Sequence, residues 1–130
     1  MSEFAVSAVM GYRGQLLLAR RPGTPPTWAF PGGHVQPHEH LGDAIRREVL
    51  EETHLICDPV ALLAELEITT PSARYALFVF GCHLRVRKPP IAGDDASAVR
   101  WISCDKLLSE PLAPGMQTTL RVLHLIPAAS

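Results

Sequence analysis

Net charge is nearly absent from this chain: twelve basic side chains stand against thirteen acidic ones, a formal charge of −1. That removes any overall electrostatic grip on a nucleic-acid polymer or an anionic membrane. Long hydrophobic runs are missing too, and the strand-length runs present fall far short of the roughly 20 residues a bilayer span needs. No basic segment precedes the first apolar run in MSEFAVSAVMGYRG, so no secretory leader is expected. Cysteine is scarce. Cys57, Cys82 and Cys104 are odd in number and far apart, with no C-x-x-C, which argues for reduced thiols in a cytoplasmic protein over a disulfide or zinc framework. Internal repeats and low-complexity tracts are also lacking. What remains is a globular composition, 47% apolar and 19% charged over 130 residues, matching a single domain over 1–130 with one core.

Along the chain, FAVSAVM at 4–10 and QLLLAR at 15–20 read as strands joined by the turn GYRG. RPGTPPT at 21–27 is broken by three prolines and a glycine, so it reads as a loop delivering Trp28 and Phe30 to the glycine turn at 32–33. Helical spacing begins near Leu41 and runs to Thr53. Residues 60–70 and 75–87 read as two long strands, the second alternating Cys82, Leu84 and Val86 with His83, Arg85 and Arg87. A loop at 88–97, a short strand AVRWIS and a closing helix over 113–126, with Pro114 near its start, complete the pattern. This mixture predicts an α/β fold with a mixed sheet sandwiched by helices.

The helix at 41–53 carries its acids where apolar residues belong. With Leu41 at 0° and about 100° per residue, Ile45 falls at ~40°, Val49 at ~80° and Ala44 at ~300°. Glu52 then falls at ~20°, Glu48 at ~340° and Glu51 at ~280°, inside or beside that stripe. Asp43, Arg46 and Leu50 take the opposite face. Burying several carboxylates together demands neutralisation, pairing or a metal. Arg47 can pair with Glu51 one turn away, but one guanidinium cannot neutralise three glutamates. An all-oxygen cluster suits a hard divalent cation, magnesium above all. The competing reading, an amphipathic helix with an untidy charged edge, is weakened by the preceding PGG, which lets backbone carbonyls approach a ligand closely. Glu39, just before the helix, also suits the positive end of its dipole.

These residues match the signature of the Nudix hydrolases, G-x5-E-x7-R-E-U-x-E-E-x-G-U with U bulky and aliphatic. Gly33, Glu39, Arg47, Glu48, Val49, Glu51, Glu52 and Leu55 satisfy eight of its nine constrained positions over 23 residues. WAFPGG before it, and VRWIS followed by CDKLL after it, resemble the family as well. The resemblance implies an α/β/α sandwich with a central mixed β-sheet. It also implies magnesium-dependent hydrolysis, with Mn2+ as a substitute ion, of a nucleoside diphosphate linked to a group X. One position departs: His54 stands where the signature has glycine, in a place suited to a left-handed helix cap.

By motif position, Glu48, Glu51 and Glu52 are expected to hold the metal with the Gly32 carbonyl, while Glu39 and Arg47 pair and orient them. The general base stays open between a signature glutamate and an acid of the late loop, Asp94 or Asp95. Arg20 and Arg21 could clamp phosphate. Trp28, Phe78 and Tyr75 could stack on a base or pack in the core. His34, His38 and His40 read as polar loop residues, since nothing supplies a fourth ligand for a transition metal. A proline 16 residues past the signature, here Pro71, resembles the mark of ADP-ribose pyrophosphatases. ADP-ribose, cleaved to AMP and ribose 5-phosphate, is therefore the first substrate reading, and a nucleoside triphosphate is the alternative. A nucleotide-sensing module that binds without cleaving would be expected to lack the acids. The expected partner is a small nucleotide, with no nucleic-acid polymer or membrane, and a homodimer is compatible with the chain.

Overall fold

The computed structural model describes residues 3–93 and 95–128, so Asp94, one of the two late-loop acids, lies outside the described residues. In chain order the elements are β1 (Phe4–Val9), β2 (Gly11–Tyr12), β3 (Gln15–Arg21), β4 (Thr27–Ala29), β5 (Gly32–His34) and α1 (Leu41–Thr53). There follow β6 (Cys57–Thr69), β7 (Arg74–Leu84), β8 (Ala98–Ser103), a 3-10 turn (Cys104–Ser109) and α2 (Met116–Val122). One sheet runs β5-β1-β7-β6 and is mixed, because β1 and β7 are parallel. The second is antiparallel and centred on β3, which pairs with β8, β2 and β4.

Period-2 alternation assigns the strand residues to two layers. Leu17 packs with Val6, Ala8 and Met10 beneath Ala44, Ile45 and Val49 of α1. Its neighbours Leu16 and Leu18 face the other way, onto Trp28, Phe30, Met116 and Leu120 of the α2 layer. Ile45 and Val49 are fully buried, each worth about 1.5–3 kcal/mol over an exposed position. The result is the α/β/α sandwich anticipated from the motif, with an antiparallel sheet accompanying the mixed one.

Three local readings change. Thr27–Ala29 and Gly32–His34 are short strands rather than loop, because the edges of β3 and β1 offer them hydrogen-bonding partners. The strand at 75–87 ends at Leu84, leaving Val86 65% exposed. The closing helix is only Met116–Val122, since Gly115 before it has φ +89° and cannot continue a helix backwards to Pro114. At its far end His124 turns left-handed, with Leu125 N–H bonded to Leu120 O and His124 N–H to Arg121 O. This cap folds Ile126 back into the same core, so the apolar pattern outlives the helix. Among the described residues no helix is long and apolar enough to cross a membrane.

Candidate active site

Arg47 is the hub of the site. Its Nε and Nη2 donate to the two carboxylate oxygens of Glu39 at 2.7 and 2.9 Å, a bidentate fork. Nη1 donates to Glu48 at 2.8 Å and to Glu51 at 3.4 Å, and Nη2 also reaches the His34 carbonyl. The pairing expected of Glu39 and Arg47 is thus present. It holds the Glu39 carboxyl below the usual range and raises the guanidinium further. Glu39 also accepts the Gln36 N–H at 3.0 Å, while no side chain caps the helix at His40.

The three glutamates of the stripe are graded in exposure. The Glu51 side chain is 41% exposed and that of Glu48 is 14%. Glu52 is buried, accepts the Gly32 N–H at 3.0 Å, and is pushed up to about 8 by desolvation and by its hydrogen bond with Glu48. A carboxyl in that position takes a proton or a cation near neutral pH. Gly33 leaves the space that the Glu48 carboxylate fills, so the PGG turn serves the acids by being small, not by a positive φ.

Among the described residues no set of three His, Cys, Asp or Glu side chains is arranged to grip an ion as it stands, His34, His38 and His40 included. The reason at the glutamates is visible: Nη1 of Arg47 lies between Glu48 and Glu51. The donor chemistry nevertheless fits a hard cation, being all oxygen and carrying more negative charge than Arg47 offsets. Glu48, Glu51, Glu52 and the Gly32 carbonyl could hold such an ion once Nη1 yields. The Gly32 carbonyl is within 3.4 Å of Arg21 Nη2.

A narrow cleft of about 120 Å³ adjoins this cluster, lined in part by Arg21, Gly33, His34, Tyr75 and Ile68. Tyr75 meets His34 edge-on at 5.8 Å. Of the two arginines considered for phosphate, only Arg21 lines the cleft. Arg20 is bonded to Ser97 Oγ at 3.0 Å and lies over Trp28. Trp28 is core, 3% exposed, so base stacking is not open to it. Phe78 packs edge-on to Phe4. Pro71 sits at the exposed tip of the β6–β7 hairpin, beyond Ile68 and Tyr75.

His54 does take up the left-handed cap, at φ 60°, ψ 21°, and its N–H bonds Leu50 O. Its imidazole does more than the sequence indicates. Nδ1 lies 2.7 Å from the Ile91 carbonyl, which can only accept, so this nitrogen carries the proton. Ile91 and Gly93 N–H groups cap the carbonyls of Thr53 and Glu52. Asp95 is exposed, in the turn that Ala96 N–H closes onto Gly93 O. The late loop is thereby docked on the end of α1. His54→Gly should relieve about 0.5–1 kcal/mol of backbone strain and lose a hydrogen bond of similar worth. The melting temperature should change little while amide exchange across residues 88–97 accelerates; unchanged exchange would show that the imidazole does not anchor the loop.

Comparison with known proteins agrees with this arrangement. Residues 1–123 match the family model of the NUDIX domain. An RNA pyrophosphohydrolase of Coxiella burnetii is 42% identical over 57 residues, 44% of this chain and 25% of that protein. An 8-oxo-dGTP diphosphatase of Buchnera aphidicola is 36% identical over 53 residues, 41% of this chain and 43% of its own length. The chain thus spans less than half the length of these curated relatives. A NUDIX hydrolase from Nitrosomonas europaea superposes with a TM-score of 0.83 at 26% identity, covering 95% of this chain and 89% of that one. The signature helix, the carboxylates gathered on Arg47 and a family match over residues 1–123 together make this chain a member of the NUDIX family.

Proposed function

We propose that the chain is a magnesium-dependent pyrophosphohydrolase acting on a nucleoside diphosphate linked to a further group. The observation that carries this reading is Glu52, a buried carboxyl pushed up to about 8 beside Glu48 and against the Gly32 backbone. Such a group has a use where a cation replaces its proton. Nudix hydrolases generally need a divalent metal, usually Mg2+. The chemistry supplied by an ion held at Glu48, Glu51, Glu52 and the Gly32 carbonyl is neutralisation of the diphosphate oxygens that otherwise repel a water nucleophile.

The chain's own groups then divide the work. Arg47 and Glu39 hold the carboxylates in register, and Arg21 meets a phosphate at the mouth of the cleft. Tyr75 and His34 offer ring surface for the base. A signature glutamate takes the proton of the attacking water, or Asp95 does so from the docked loop.

ADP-ribose is the first substrate reading, supported by the hairpin that ends in Pro71 and flanks the cleft. A nucleoside triphosphate is the second, favoured by the likeness to the Buchnera aphidicola 8-oxo-dGTP diphosphatase. A panel of ADP-ribose, other nucleotide sugars, dinucleoside polyphosphates and canonical and oxidised triphosphates, assayed with magnesium, separates them. ADP-ribose should lead in kcat/KM and release AMP and ribose 5-phosphate. Faster turnover of triphosphates with release of pyrophosphate would make Pro71 a turn residue only. Undiminished turnover in excess chelator would overturn the metal-dependent reading itself.

A further inference from the structure

A cavity of about 550 Å³ opens between the β2–β3 hairpin, the end of β7 and the loop that leaves it. Its volume is within the roughly 300–1,000 Å³ usual for small-molecule sites. None of the signature glutamates lines it. Trp101 on its wall pairs with Leu17, four residues, or about 13 Å of strand, from Arg21 of the catalytic cleft.

The walls are aromatic and basic. Tyr12 and Trp101 stand edge-to-face at 6.5 Å, over a floor that includes Met10 and Leu84. The Arg87 guanidinium lies 3.2 Å over the Tyr12 ring, and Arg13 lies 5.1 Å from the same ring. Lys88 follows Arg87 on the rim, and among the described residues no acidic side chain lines the cavity. Among the described residues, Arg46, Arg47, Arg74 and Arg85 have carboxylates within 4 Å, and Arg13, Arg87 and Lys88 do not. In a chain of net charge −1 this is a local surplus of positive charge. Arg87 already covers one face of Tyr12, so a planar ring entering the cavity meets Trp101 and the edge of Tyr12, and an anionic group on that ring meets two adjacent cations.

We propose that this cavity is a second ligand site for a nucleoside monophosphate, its base against Trp101 and the edge of Tyr12 and its phosphate on Arg87 and Lys88. Binding at this site does not depend on the proposed hydrolysis. The loop that walls the cavity with Pro89 and Pro90 continues into Ile91 and Gly93, which bond the carbonyls of Thr53 and Glu52. Occupancy therefore has a direct mechanical route to the end of α1.

Nuclear magnetic resonance titration of the labelled full chain with AMP, in chelator, tests the site. The Trp101 indole N–H and the amides of Gly11, Gln15 and Leu84 should shift saturably. In a variant combining Arg87→Gln and Lys88→Gln, both exposed positions, these shifts should disappear. Shifts near Gly32 to His34 should be the same as in the wild type. Adenosine alone and inorganic phosphate alone should each bind roughly tenfold more weakly or worse, a difference of about 1.4 kcal/mol. Shifts confined to Gly32 to His34 in the wild-type protein would overturn the proposal whatever the variant does. So would equal affinity for adenosine or for phosphate alone, since either removes half of the recognition.

Discussion

Glu52→Gln should reduce turnover on the order of 100-fold or more, and it should make the metal-free protein more resistant to heat at alkaline pH. Glutamine keeps the shape and helix propensity of glutamate. Its amide oxygen can still accept the Gly32 N–H, and its NH2 can donate to Glu48 as the protonated carboxyl does. What it loses is the charge a divalent ion requires. The stability effect follows from linkage. The folded-state value of Glu52, about 8, lies above its ordinary 4.5. The stabilisation from holding that proton is complete below about 4.5 and is lost as pH rises through about 8. Glutamine has no proton to lose, so in chelator the gap in melting temperature between variant and wild type should open between those two values. Magnesium should raise the melting temperature of the wild type and not that of the variant. Equal melting curves at pH 5 and pH 9, or wild-type turnover, would refute this role for Glu52.

The paired glycines before the helix should separate catalysis from folding. A Cβ on Gly33 would lie 2.6 Å from Glu48 Oε2 and 2.7 Å from its Cδ. The obstacle is the end of a flexible side chain, so Gly33→Ala should displace that carboxylate at a modest folding cost of about 1–2 kcal/mol. Turnover should drop by roughly two orders of magnitude, as for loss of a preorganised charge. A Cβ on Gly32 would instead meet the Val6 carbonyl, a backbone group of β1 that cannot rotate away. Gly32→Ala should therefore unfold the β1–β5 pairing and cost about 3 kcal/mol or more. Urea unfolding read beside kcat/KM distinguishes the two. If Gly33→Ala retained full turnover, the placement of Glu48 would not matter to the chemistry.

The docked loop illustrates what sequence spacing misses. His54 reads as a glycine replacement at a helix end, a local matter of φ and ψ. Its partner at Ile91 is 37 residues away, and no periodic pattern announces a contact between an irregular loop and a helix terminus. Trp28 is the reverse case. Its position beside the glycine turn makes it a candidate for stacking, yet the parallel bridge to Leu112 and the α2 layer enclose it. Arg20 and Arg21 are neighbours in sequence but point to opposite sides of β3, so one meets Ser97 and the other Gly32.

The sequence by itself determined the carboxylate-bearing helix, its boundaries at Leu41 and Thr53, the Glu39–Arg47 pair and the family. The helix and its bounds follow from spacing, because 3.6 residues per turn converts sequence distance into spatial distance; the Glu39–Arg47 pair and the family follow from the signature those residues match. Tertiary structure decided the rest: which glutamate is buried, which arginine reaches the cleft, and where an aromatic pocket forms far from the acids. Burial is set by what packs on a residue from elsewhere in the chain. Desolvation of Glu52, with Glu48 beside it, pushes the carboxyl up to about 8 even though the Gly32 N–H of β5 works the other way.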